Sequence, residues 1–277
     1  MYNDDPTLAG AQKVMLEILL EVHRVCEKHQ ITYWLDYGTL LGAVRHKGFI
    51  PWDDDVDISM PRDEYDRFCK IAPQEITGKF FFQTQETDKG YPRNFAKVRM
   101  NGTMLVEHHE TDKENYHQGI YIDIFPFDYS NSSSFMKAME FTSSVREQRR
   151  KYPRGTIKRH LYNIYSQWLL AIPHELCKYF RIWLSSYPNL YGNKNSKYLS
   201  QKLDSIFTIE IIEKKSFLPV KFSEECFEGH GFYIPNDYDT VLTTYFGDYM
   251  TPPPEDCRRA HAKAIILDVN ATKEKKE

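Results

Sequence analysis

Gly38-Thr39-Leu40-Leu41-Gly42-Ala43-Val44-Arg45-His46-Lys47-Gly48-Phe49-Ile50-Pro51-Trp52-Asp53-Asp54-Asp55-Val56-Asp57-Ile58 is the stretch on which the fold turns. Its first two residues sit where an expected strand, 31–37 (ITYWLDY), gives way to a short helix through Val44, with Gly48 closing the unit. Free backbone N–H groups and the helix dipole at such a junction favour a phosphate, and a glycine lets the ligand come close to the backbone. The far end carries four carboxylates in five positions, which would repel one another in a purely structural role. In Asp55-Val56-Asp57 the alternation sets two carboxylates on one side of an extended strand, about 7 Å apart along the backbone. Converging side chains of this kind suit one or two hard divalent cations. Mg²⁺ in particular takes a few carboxylates, several waters and substrate phosphates. An isolated acidic triplet is more simply a solvated turn. Here Ile50, Pro51, Trp52 and Ile58 bracket the run and draw it against a core.

Working outward, Pro6 and Thr7 start a helix whose apolar residues Leu8, Ala11, Met15, Leu19, Val22 and Cys26 recur every three or four positions through about His29. Asp55–Met60 alternates as a strand, and Pro61 opens a second long helix, PRDEYDRFCKIA. Further strands are expected at 79–85, 94–100, 103–107 and 119–125, each rich in aromatic or branched residues. The stretch 132–215 changes character, with a serine cluster followed by long amphipathic segments interrupted at Pro153, Pro173 and Pro188. FLPVKF, HGFYIP and a short helix from Asn236 follow, before a polar tail. These elements predict one catalytic domain over 1–277. Residues 1–131 form an α/β core of a mixed sheet flanked by helices, 132–215 a helical insertion, and 216–277 a segment completing the core.

The 277 residues carry 36 basic and 39 acidic side chains, a formal net charge of −3. That balance argues against a dedicated nucleic-acid binder, which shows a clear basic excess. With 41% hydrophobic and 27% charged residues, wholesale disorder and a membrane-embedded class are both excluded. Five scattered cysteines imply no disulfide framework and point to a reducing compartment. MYNDDPTLAG lacks the basic and apolar regions of a signal peptide, and no run approaches the ~18 apolar residues needed to span a bilayer. A soluble, cytoplasmic protein is the expectation.

A Gly-Thr turn joined to a D-h-D strand matches the layout of the nucleotidyltransferase fold, which usually adds a third carboxylate from a neighbouring strand. Asp123, alone among apolar residues in Ile120-Tyr121-Ile122-Asp123-Ile124-Phe125-Pro126, is the candidate. It is either a partnered core residue or a catalytic group. More specifically, YGTLLGAVRHKGFIPWDDDVDISMPRDEYDRF closely resembles the signature of the LicD family of phosphocholine transferases, and more distantly that of the fukutin and fukutin-related ribitol-phosphate transferases. Arg93-Asn94-Phe95-Ala96-Lys97-Val98-Arg99, the Asp123 strand, and Tyr245-Phe246-Gly247-Asp248-Tyr249-Met250 with the following prolines and Arg258 fit in order, over about 30 to 260.

The resemblance implies Mg²⁺-dependent (or Mn²⁺-dependent) transfer of phosphocholine from CDP-choline to a hydroxyl of a teichoic acid precursor or lipopolysaccharide-type glycan, with CMP leaving. Asp55 and Asp57, with Asp53 in support, would hold the metal. Asp123 would take the acceptor proton or share a second metal. Gly38, Thr39, Arg45, Lys97 and Arg99 are the nucleotide- and phosphate-binding candidates, the last two because period two puts them on one strand face. Trp52, Tyr37 and Tyr121, with Tyr33 and Trp34, could contribute to an aromatic cage for a trimethylammonium head. Another CDP-linked alcohol such as ribitol or glycerol, glycosyl transfer through a DxD metal site, or a non-catalytic glycan- or nucleotide-binding protein are the alternatives.

Two weaker constellations remain. Cys226-x3-His230 and Cys257-x3-His261 offer zinc-type ligands, but at an unusual spacing and with Gly229 breaking any helix. Arg149, Arg150, Lys151, Arg154, Lys158 and Arg159 form a basic run followed by Tyr162, Ile164, Trp168, Leu169 and Leu170. It is either a solvated helix face or a peripheral contact with an anionic membrane carrying a lipid-linked acceptor.

Overall fold

The computed structural model describes residues 6–108, 110–130, 193–201, 212–258 and 260–269. The chain divides into two compact units, Met1–Pro126 with Lys215–Glu277, and Phe127–Lys214. In the first unit, α1 (Pro6–His29) buries Leu8, Ala11, Met15, Ile18, Leu19, Val22, Val25 and Cys26, the stripe expected from the sequence spacing. It leads to β1 (Trp34–Leu35), α2 (Tyr37–Arg45), β2 (Asp57–Pro61) and α3 (Arg62–Glu75). Then come β3 (Phe80–Gln83), β4 (Ala96–Met100), β5 (Met104–Glu107) and β6 (Tyr121–Ser130). The sheet runs β1-β2-β6-β4-β3, with β1–β2, β4–β6 and β3–β4 all antiparallel.

Alternation gives this sheet two unlike faces. Phe80, Phe82, Val98, Met100, Ile122 and Ile124 lie on the buried apolar side, where the Phe68 ring of α3 meets Phe82 at 5.8 Å. Gln83, Lys97 and Asp123 fall in one cross-strand row, and Phe81, Arg99 and Tyr121 in the next, on the opposite side. The apolar side holds the sheet down, since each fully buried large side chain contributes about 1.5–3 kcal/mol. The polar side is left for chemistry.

Several local readings differ from expectation. Helix α2 begins at Tyr37, and its cap is Asp36, whose carboxylate accepts the Tyr37 N–H. The left-handed residue that ends this unit is Lys47 at φ 61°, not Gly48. Gly48 is required instead by crowding: a Cβ there would meet Glu228 Oε1, and one on Gly42 would meet the Gly48 carbonyl at 2.4 Å. Glu228 belongs to the turn between β9 (Lys221–Phe227) and β10 (His230–Ile234), an antiparallel hairpin. Its N–H donates to the Lys47 carbonyl, and its side chain accepts from the Phe49 N–H. After β10 comes α4 (Tyr238–Phe246). The sequence predicts no strand beyond it, yet β11 (Ala262–Ile266) pairs with β5.

Within the second unit, residues 127–130 at the end of β6 pair with β7 (Tyr198–Gln201), and β7 pairs with β8 (Ile212–Glu213). These two strands correct the helical expectation for that part of 132–215. YLSQ is a poor strand by composition, but cross-strand pairing decides, and Leu199 is fully buried there. Residues 131–192, and with them the basic run Arg149–Arg159, lie outside the described residues.

Candidate active site

The floor of the site is the entry to α2. Asp36 is fully buried and holds the Tyr37 N–H and the Ser59 hydroxyl, at 3.0 and 2.6 Å. Burial pushes its carboxyl up to about 6. Tyr37 takes φ 43°, a left-handed conformation uncommon outside glycine, and stacks on Tyr245 of α4 at 4.9 Å. Strain of this kind persists where surrounding structure imposes it, often at functional sites. Thr39 Oγ1 accepts the Asp57 N–H at 2.8 Å, tying the helix to the first residue of β2. Gly38 faces Asp53, because a Cβ at this position would lie 2.9 Å from Asp53 Oδ2. The Gly-Thr pair therefore meets the acidic run directly.

Asp53, Asp55, Asp57 and Asp123 form one electrostatic cluster. Asp53 is pushed well above the carboxylate range by burial and then by Asp55. Asp57 is pushed up by burial, then by Asp55, Asp123 and Asp53. Asp54, the third member of the run, does something else. It is 2% exposed, and its two oxygens accept the backbone N–H groups of His261 (2.9 Å) and Ala262 (2.5 Å). The His261 imidazole lies 3.3 Å from Asp54 and 3.5 Å from Asp55, and hydrogen bonding to these two carboxylates raises it to about 11. Asp54 thus pins the start of β11 beneath the cluster.

Opposite it, β4 and β6 deliver Lys97 and Asp123 in register. Lys97 is 3% exposed, with its Nζ 2.8 Å from Asp123 Oδ1 and 3.6 Å from Glu107. It also stands 3.2 Å from the centre of the Tyr121 ring, whose hydroxyl donates to Glu107 at 2.6 Å. Burial lowers the lysine's pKa, while Asp123 is raised to about 6, by burial first and against the pull of Lys97. Although this ion pair is close, Asp123 Oδ1 has no hydrogen-bond partner of good geometry among the described residues. Arg99 is 1% exposed, and its guanidinium donates to Gln83 (2.5 Å) and the Gly119 carbonyl (2.7 Å). It shares a sheet face with Lys97 but ends in the sheet, bracing β3 and the approach to β6.

The aromatic candidates have unlike surroundings. Tyr33 and Trp34 are fully buried core. The Tyr121 face carries Lys97, and the Trp52 ring carries the Arg258 guanidinium at 4.8 Å. Arg45 donates to the Tyr249 carbonyl at 2.6 Å. Cys226, His230, Cys257 and His261 form no zinc quartet, since among the described residues no three His, Cys, Asp or Glu side chains are gathered into a metal cage. For the acidic cluster this means carboxylates drawn near by the fold but not closed into a preformed shell. All-oxygen donors with mutual repulsion fit a hard divalent cation.

Glu107 escapes a reading of the sequence alone, while Tyr245 and Arg258 enter it only through the family resemblance and His261 only as a zinc-type ligand, none of them with the contacts seen here. His261 and Asp54 are 207 positions apart, and nothing local in either segment signals the contact.

Fold and site together define an α/β transferase-like protein built around clustered carboxylates at a strand-to-helix turn. Residues 30–167 match the family described as LicD/FKTN/FKRP, nucleotidyltransferase domain. The chain is 32% identical to the lipopolysaccharide cholinephosphotransferase LicD of Haemophilus influenzae, over 94% of its own length and 98% of that protein. A shorter segment, 37% of the chain and 18% of its relative, is 53% identical to the mouse ribitol 5-phosphate transferase FKRP. An uncharacterised Rickettsia prowazekii protein is 30% identical over 61% of the chain and 62% of its own length. The chain belongs to the LicD/FKTN/FKRP family. No helix among the described residues is long and apolar enough to cross a membrane.

Proposed function

We propose that this phosphotransferase moves phosphocholine from CDP-choline to a hydroxyl of a cell-surface glycan precursor, of teichoic acid or lipopolysaccharide type, and releases CMP. The observation that carries the reading is the near full-length match to a cholinephosphotransferase in a chain that clusters Asp53, Asp55, Asp57 and Asp123. In the reaction the acceptor oxygen bonds to the choline-bearing phosphorus as the P–O bond to CMP breaks, and the acceptor's proton passes to Asp123. A carboxylate raised to about 6 and still ionised at neutral pH suits a general base. Lys97 holds Asp123 in place, and Thr39 fixes the backbone of Asp57. Asp55 and Asp57, with Asp53 in support, would hold Mg²⁺ or Mn²⁺, which when bound supplies charge neutralisation for the diphosphate.

We assign the quaternary ammonium to the half-buried Tyr37–Tyr245 stack. On Tyr121 or Trp52 a trimethylammonium would meet the like charge of Lys97 or Arg258. Transfer of ribitol phosphate is the second reading, favoured by the 53% identity of one segment to a ribitol 5-phosphate transferase. The work is placed at the cytoplasmic face of the membrane, where the basic run Arg149–Arg159 would approach a lipid-linked acceptor. Competition among CDP-choline, CDP-ribitol and CDP-glycerol for the purified protein in Mg²⁺ tests donor choice. Tightest binding of CDP-choline supports the proposal, and preference for CDP-ribitol replaces it with the second reading.

A further inference from the structure

Two guanidinium groups stand beside the acidic run with no close carboxylate partner among the described residues. Arg45, at the end of α2, donates to the Tyr249 carbonyl, and among the described residues no acidic side chain pairs with it. Arg258 donates through Nε to the Pro253 carbonyl at 2.9 Å and lays its Cζ 4.8 Å above the Trp52 ring. Its acidic neighbour, Glu255, is 91% exposed and 3.9 Å away, so that pair is weak. The His46 ring, also against Trp52, closes the group edge-on at 6.5 Å. Burial and the charge of Arg258 lower the Arg45 pKa, so the two cations are near enough to repel. Like charges held near one another by backbone carbonyls and an indole face are the ingredients of an anion subsite.

We propose that Arg45 and Arg258 form a subsite for a phosphate chain, with Trp52 as the platform that orients the Arg258 fork. The ligand class is a diphosphate ester or pyrophosphate. Resting on the nucleotide-donor reading above, this pair of cations grips the donor's phosphates from α2 and from the segment before β11. It also gives Trp52 a role other than holding choline. A planar guanidinium stacked on an indole keeps its remaining N–H groups in one plane, suited to two phosphate oxygens.

Calorimetric titration of the full chain with inorganic pyrophosphate, in Mg²⁺ and again in chelator, tests the subsite. Loss of one charge-assisted contact is expected to weaken binding by about tenfold or more in Arg45→Gln and in Arg258→Gln. Arg258→Lys keeps the charge without the planar fork and is expected to bind more weakly than wild type but more tightly than Arg258→Gln, whereas a role limited to bracing the Pro253 loop through Nε would be lost in both Arg258 variants alike. Trp52→Leu is expected to weaken pyrophosphate binding while choline chloride competes in none of the proteins. Wild-type affinity in both glutamine variants, or equal losses in Arg258→Lys and Arg258→Gln, overturns the proposal. Absence of CMP release from any CDP-alcohol, with pyrophosphate binding still dependent on both arginines, would remove the donor reading and leave the anion subsite standing.

Discussion

Replacing Asp54 by alanine separates two roles that look identical along the chain. Asp54 accepts two backbone N–H bonds from the start of β11, at 2.9 and 2.5 Å, and is 2% exposed. Hydrogen bonds to a charged group contribute about 1.5–3 kcal/mol each. The donors sit at an exposed and a half-exposed residue, so water recovers part of the loss, leaving about 2–4 kcal/mol in Asp54→Ala. At roughly 2–4 °C per kcal/mol for a chain of this size, the transition should fall by about 5–15 °C. Asp54→Asn retains one acceptor oxygen and should lose about half as much. Asp55→Ala, one position away, relieves repulsion within the cluster and should leave Tm unchanged or raised. Thermal melts of the four proteins in chelator at neutral pH make the comparison. A Tm for Asp54→Ala within about 2 °C of wild type, or an equal fall in Asp55→Ala, would refute the assignment of Asp54 as the β11 anchor.

Asp57 has a folded-state pKa above its unfolded value of about 3.9, so it costs stability at neutral pH, and the cost shrinks as pH falls below the folded value and is gone at the unfolded one. In chelator, Asp57→Asn should therefore melt above wild type at neutral pH, with the gap closing on acidification toward the ordinary carboxylate range; a gap that widens on acidification contradicts the cause given. Lys97 lowers the Asp123 pKa, so Lys97→Met should move the ascending limb of the kcat profile to higher pH, and an unmoved limb would separate Lys97 from the base. Asp123→Asn should reduce kcat by on the order of 10²–10⁴ with little change in donor affinity, whereas weakened donor binding with a normal rate at saturation makes it a binding or metal group.

Much of the framework is legible in the sequence because it rests on local pattern. The apolar stripe of α1 has one structural solution, the strand expected from Asp55 forms from Asp57 onward so that only the second Asp of the D-h-D run lies in β2, and Lys97 with Arg99 share a strand face because period two requires it. What the two side chains do is not legible. Lys97 meets Asp123 across the sheet, while Arg99 is captured by Gln83 and the Gly119 carbonyl, partners supplied by β3 and by the loop before β6. The same limit applies to Asp54. Its neighbours Asp53 and Asp55 face the cluster, and only the arrival of residues 261 and 262 from the other end of the chain turns it into an anchor. β7 and β11 are short and weakly patterned, so their pairing partners rather than their composition make them strands. Lys47 in place of a glycine at φ 61° follows from Glu228, 181 positions on, which binds both sides of it.

The central claim is transfer of the alcohol phosphate with departure of CMP. Purified protein, CDP-choline, Mg²⁺ and a glycan acceptor, followed by ³¹P NMR through a single turnover, tests it most directly. The expected result is stoichiometric CMP with a new phosphocholine diester on the acceptor, both absent in Asp55→Ala and in chelator. Release of CDP in place of CMP, or the same products from Asp55→Ala, would contradict it.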